Sequence, residues 1–87
     1  MYVILVYDIE EKRVAKMLKL CRRYLNWIQN SVFEGEITDV KLKQLLAEAK
    51  AIIQVEKDSI IVFKSRQEKW LDKMVIGKEK NSLDNIL

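Results

Sequence analysis

Histidine is absent from this chain of 87 residues. Its absence removes the common general base at neutral pH and the common zinc ligand. One cysteine, Cys21, is present, so no intrachain disulfide framework can form, and a reducing cytosol is the simplest setting. With one Cys and no His, any bound metal is expected to be a hard cation held by carboxylates. Proline is also absent; there is no proline-rich linker, and no repeat or low-complexity run divides the chain. The apolar run at the N-terminus is too short for a membrane span and has no basic residue before it. Neither a signal peptide nor a transmembrane helix is expected, so the reading is a cytoplasmic protein with no membrane partner. The length suits one small domain. Chains of this size bury a modest share of their surface and often gain stability by oligomerising.

What is present starts with Tyr2-Val3-Ile4-Leu5-Val6-Tyr7-Asp8. Its aromatic and β-branched content predicts a strand. The unbroken apolar run predicts that the strand is internal to a sheet and buried on both faces. Asp8 at its end has two readings: a helix cap, since Asp8 and Glu11 have capping-box spacing, or a rigidly held ligand.

The segment from about Glu10 to Leu25 reads as an amphipathic helix, with Val14, Met17, Leu18, Cys21 and Leu25 along one apolar stripe. From Lys12 to Arg23 there are six basic residues and no acid. A solvated helix face normally mixes signs; a stripe of one sign is the footprint of a phosphate-binding surface. Lys12, Arg13, Lys16, Lys19 and Arg23 are accordingly the expected contacts to DNA or RNA backbone. Cys21 and Met17 read as core.

Asn26 is expected to close the helix in a left-handed conformation. Residues 27–37 are extended, with a reversal around Asn30-Ser31 and an irregularity at Gly35; one bent strand and two short ones remain equally open. Thr38 and Asp39 supply an N-cap and first-turn acid for a second helix running to about Ile53. Its apolar side carries Leu42, Leu45, Leu46, Ala49, Ile52 and Ile53. Gln54 to Asp58 is a polar connection, Ser59 to Phe63 a further strand, and Lys73 to Gly77 a short extra strand. The order predicts an α+β, ferredoxin-like βαββαβ sandwich over residues 1–77 with that extra C-terminal strand, followed by a polar tail over 78–87.

Tyr7-Asp8-Ile9 closing the first strand, the basic helix, Gln29-Asn30-Ser31-Val32-Phe33-Glu34-Gly35, and the late Asp58-Ser59-Ile60-Ile61 strand together resemble the second numbered family of CRISPR-associated proteins, a small protein of the adaptation module. The resemblance covers Met1 to about Gly77. It implies a homodimer that binds the CRISPR integrase subunit and helps capture new spacer DNA. It also implies Mg²⁺, or another hard divalent cation such as Mn²⁺, held between paired copies of Asp8. Asp8 would then be both metal ligand and catalytic residue, with Tyr7, Ser31 and Phe33 near it, in a nuclease acting on RNA or duplex DNA. Two positions depart from the pattern. Only Arg13 stands where many relatives carry two arginines, and Trp27 stands where relatives often have arginine. The competing expectations are a non-catalytic DNA-binding scaffold of the integration complex and, less favoured, a ribonuclease toxin of the same fold.

Overall fold

A computed structural model describes residues 1–66 together with Met74, Ile76 and Gly77. The elements are β1 (Tyr2–Asp8), α1 (Glu11–Arg22), β2 (Asn26–Gln29), β3 (Val32–Glu36), α2 (Asp39–Ile52) and β4 (Ser59–Ser65). The four strands form one antiparallel sheet in the order β2-β3-β1-β4, with β1 internal as expected. This is the ferredoxin-like arrangement. The predicted strand at 73–77 and the tail at 78–87 fall, apart from Met74, Ile76 and Gly77, outside the described residues.

Strand alternation gives the sheet two unlike faces. Val3, Leu5 and Tyr7 of β1, with Phe33 of β3, point into the core, where they meet Met17, Leu20 and Cys21 of α1 and Leu42, Leu45 and Ala49 of α2. Ile4 and Val6 belong to the other face. Their partners there are Glu34 and Val32 on β3 and Phe63 and Ile61 on β4; Glu34 and Tyr2 on this face are buried. Ile4 and Val6 are only half-buried, and Ile61 and Phe63 are 53% and 54% exposed. The expectation that β1 is buried on both faces therefore holds on one face in the single chain. Both helices pack on one side, which leaves on the second face, among the described residues, a patch of exposed Ile61 and Phe63 beside half-buried Ile4 and Val6, with Glu34 buried next to Ile4.

Two local expectations are corrected, and one open alternative is decided. Asn26 does not close α1: the helix ends at Arg22 with Arg23 in a right-handed C-cap conformation, and Asn26 already begins β2. Residues 27–37 are resolved into two strands joined at Asn30-Ser31, where Asn30 takes φ 44°; asparagine tolerates that region because its short polar side chain costs little there. The register shift lies between Trp27 and Gln29 on β2, whereas Gly35 sits in regular pairing opposite Val3. A Cβ on Gly35 would meet Asn26 Nδ2 at 3.4 Å and Leu25 Cδ2 at 3.5 Å, ordinary contact distances, so space alone does not require glycine there. Thr38 caps α2 as expected, its hydroxyl oxygen accepting from the Lys41 amide at 3.1 Å.

Candidate nucleic-acid and metal site

Asp8 is exposed at the C-terminal end of β1, opposite Ser59 of β4. By alternation it shares the open face with Ile4 and Val6. It does not cap α1. The N-cap residue is Glu10, which makes no side-chain cap, and the helix starts at Glu11. The Asp8 carboxylate makes no hydrogen bond or ion pair among the described residues, which leaves it open to a ligand there. Ser31 lies at the same end of the sheet, its carbonyl accepting from the Tyr7 amide at 3.2 Å.

Tyr7 and Phe33 are placed differently from the expectation. Their rings stack at 6.0 Å between centroids inside the core, on the face opposite Asp8, because odd-numbered residues of β1 point toward the helices. The Tyr7 hydroxyl is buried and has no partner among the described residues. Burial, with a smaller contribution from nearby Cys21, pushes its pKa up to about 12. The Cys21 thiol is likewise buried and raised to about 12 by desolvation, which keeps it protonated and inert.

The basic stripe is divided by the structure. Lys12, Lys16, Lys19 and Arg23 are exposed. Lys16 and Lys19 form no ion pair among the described residues. Lys12 approaches Glu10 at 3.9 Å. Arg23 donates to Glu48 at 2.9 Å while its side chain stays 61% exposed. The Tyr24 hydroxyl donates to the same carboxylate at 2.5 Å; the Tyr24 and Arg23 bonds hold Glu48 below the usual carboxylate range. Lys16, Lys19 and Arg23, with Leu20, Ala51 and Ile52, line an open groove of ≈ 480 Å³ between the helices. Arg22, outside the expected contact set, lies over the Trp27 ring at 5.8 Å.

Arg13 is the correction. It is buried with the core stripe, and α1 turns Met17, Leu20 and Cys21 inward behind it. Its Nε donates to Asp58 Oδ2 at 2.6 Å and its Nη2 to Asp58 Oδ1 at 2.9 Å. Such a bidentate pair occupies the guanidinium fork that phosphate would need, so Arg13 leaves the phosphate-facing set. Asp58, read from sequence as part of a polar connection, has a side chain with no exposed surface. It also accepts from the amides of Glu10 and Gln54, both at 2.9 Å. The Arg13 bonds, aided by the two amides and opposed by burial, hold Asp58 far below the usual aspartate range. A sequence signal existed only in part, as the lone acid directly preceding an apolar strand.

No group of three or more Cys, His, Asp or Glu side chains converges among the described residues. The described residues of one chain thus offer the Asp8 carboxylate and not a full ligand shell. The donor chemistry, hard oxygen without nitrogen or sulfur, suits a hard divalent cation such as Mg²⁺ or Mn²⁺.

Sheet order, helices on one side and a terminal carboxylate on the internal strand define a ferredoxin-like α+β domain of the kind that several activities share. The family described as CRISPR associated protein Cas2 matches residues 1–73. The chain is similar to the CRISPR-associated endoribonuclease Cas2 of Dictyoglomus turgidum, 47% identical over 87 residues and covering 100% of both chains. It is 45% identical to the protein of the same description from Thermotoga maritima, covering 92% of each. A solved structure described as a crystal structure of Cas2 superposes with a TM-score of 0.86 at 40% identity, covering 95% of this chain and 93% of the other. Streptococcus pyogenes Cas2 at pH 6.5 superposes at 0.73 with 26% identity, covering 86% and 100%. The chain belongs to the Cas2 family of CRISPR adaptation proteins. No helix among the described residues is long and apolar enough to cross a membrane.

Proposed function

We propose that this protein is a homodimeric, metal-dependent endonuclease of CRISPR adaptation that works in the cytoplasm on RNA or DNA backbone alongside the integrase subunit. The observation that carries the reading is the placement of Asp8: a free carboxylate at the end of an internal strand, on the same face as Ile4, Val6, Ile61 and Phe63. Two copies packed through that face in an isologous interface would bring two Asp8 side chains together. Paired carboxylates repel and favour a shared cation, which resolves the shortage of ligands in one chain. A bound Mg²⁺ or Mn²⁺ would supply polarisation of the phosphodiester and acidification of water. The chain's own part is to hold Asp8 rigidly and to present Lys12, Lys16, Lys19 and Arg23 to flanking phosphates. Met74 and Ile76, 87% and 94% exposed, offer apolar contact to a second copy. The curated names of the relatives, which specify an endoribonuclease, support phosphodiester cleavage.

The test is Asp8→Asn in the purified dimer with RNA and duplex DNA. Mg²⁺-dependent cleavage should be lost while nucleic-acid affinity is unchanged or slightly higher, because a negative charge is removed. Cleavage that survives the substitution overturns the catalytic assignment. Lys16 and Lys19, without an ion pair among the described residues, favour a second reading, a scaffold that grips duplex phosphates and needs no Asp8. Co-purification with the integrase subunit followed by a spacer-integration assay separates the two. Integration unaffected by Asp8→Ala supports the scaffold.

A further inference from the structure

The Asp58 carboxylate gathers an unusual number of donors for one buried group, and they come from three parts of the chain. Arg13 reaches it from α1, Glu10 from the link between β1 and α1, and Gln54 from the end of α2. Glu10 is two residues beyond Asp8. Ser59, the residue after Asp58, is the strand partner of Asp8. The last rung of the β1–β4 ladder and the Glu10 amide bond therefore close a small ring through Asp8, Ile9, Glu10, Asp58 and Ser59. A strand end without such a ring frays, because its final residue has no further pairing to hold it. Here the ring closes the strand end that carries the candidate ligand.

We propose that Asp58, held by Arg13, is the positioning residue for Asp8. It touches neither metal nor substrate. It clamps the Glu10 amide and so sets the backbone from which the Asp8 carboxylate projects. Around Asp58, the charged groups are Arg13 on α1, Glu10 on the link, and Lys57 on the connection; Lys57 and Arg13 each approach Glu10 at 3.4 Å. Arg13 balances the Asp58 charge with fork geometry that lysine cannot copy. Glu10, joined to both cations, completes the cluster at the surface. The arrangement also accounts for a buried arginine in a helix otherwise rich in solvated cations. The inference rests on the reading of Asp8 as a metal ligand, and it assigns the supporting role to a residue 50 positions away in sequence.

Outer groups that orient a metal ligand typically change affinity by about 10- to 100-fold when removed. The test is Mn²⁺ binding to the intact dimer, followed by electron paramagnetic resonance of the free ion, with hydrogen exchange as a second readout. Asp58→Asn should weaken Mn²⁺ at least about 10-fold. The amide of Glu10 should exchange faster while that of Leu5, in mid-strand, is unchanged. A merely structural role would speed exchange throughout the sheet and leave Mn²⁺ affinity of the folded dimer alone. Because Asp58→Asn leaves Arg13 buried without its counter-charge, the pair Arg13→Gln with Asp58→Asn is made as well, and Arg13→Lys as the charge-preserving variant. Mn²⁺ affinity within about twofold of the wild type in the folded variants overturns the proposal, a change well below the 10-fold floor expected for an orienting group. Asp8→Ala separates the two layers. If it abolishes Mn²⁺ binding while the Asp58 variants do not weaken it, positioning alone fails. If Mn²⁺ binding survives Asp8→Ala, the metal reading of Asp8 fails and takes this inference with it.

Discussion

Replacing Ile61 and Phe63 together by threonine should loosen the dimer by about a thousandfold. The two side chains are 53% and 54% exposed in the single chain and stand on the sheet face shared with Asp8. Complete burial of an Ile or Phe side chain contributes about 1.5–3 kcal/mol, so burying the remaining half is worth about 1 kcal/mol each. A two-fold interface uses each side chain twice, and four half-exposed side chains amount to about 4 kcal/mol of dimer stability. At 1.4 kcal/mol per tenfold change, this corresponds to about three decades in the dimer dissociation constant. Threonine is β-branched and suits a strand at both positions, so the monomer fold should survive. Sedimentation equilibrium over a wide concentration range measures the constant directly, and circular dichroism checks the fold. A folded double variant whose dimer dissociates at nearly the wild-type concentration would show that the two copies meet elsewhere, and the pairing of Asp8 side chains would lose its basis.

Three further outcomes are expected. Replacing Lys16 and Lys19 with Ala should reduce the logarithmic salt slope of duplex binding by roughly 0.9 per lost phosphate contact and weaken all sequences alike; an unchanged slope in a salt titration means the helix face is only solvated. Thr38→Ala should cost about 1 kcal/mol through loss of the α2 cap, a drop of roughly 4–8 °C in melting temperature for a domain of this size, read at fixed protein concentration; no measurable drop would mean the Lys41 amide finds another acceptor. Asp58 is held below its ordinary value of 3.8 by Arg13, so its contribution is complete above about pH 5 and is lost as the pH falls through and below that value. The melting-temperature gap between wild type and Asp58→Asn should therefore be full at pH 7 and narrow toward pH 3; a gap that stays constant over that range contradicts the ion-pair account.

Much of the architecture can be read from residue types because the physics behind it is local. An apolar β-branched run makes β1 a strand inside a sheet, Thr38 caps α2 through its own hydroxyl, and leucines at helical spacing place α2 on the core. The reversal at Asn30-Ser31 follows from the backbone tolerance of asparagine. The motif around Asp8, together with Gln29 to Gly35, was enough to point to the family. Three matters were decided only when distant segments met. Whether Arg13 faces phosphate or core depends on Asp58, which lies 45 residues away; a stripe of cations along a helix carries no information about which one finds a buried partner. Tyr7 and Phe33 could not be separated from the site until the register fixed which face of β1 each occupies, since neighbouring residues of a strand point in opposite directions. The capping-box spacing of Asp8 and Glu11 looked sufficient for a cap, yet β1 continues through Asp8 and the Asp58 carboxylate takes the amide of Glu10. Sequence determined which side chains can do chemistry here. Tertiary structure decided which remain free to do it, because a charged group is available to a ligand only where the fold has not already supplied its counter-charge.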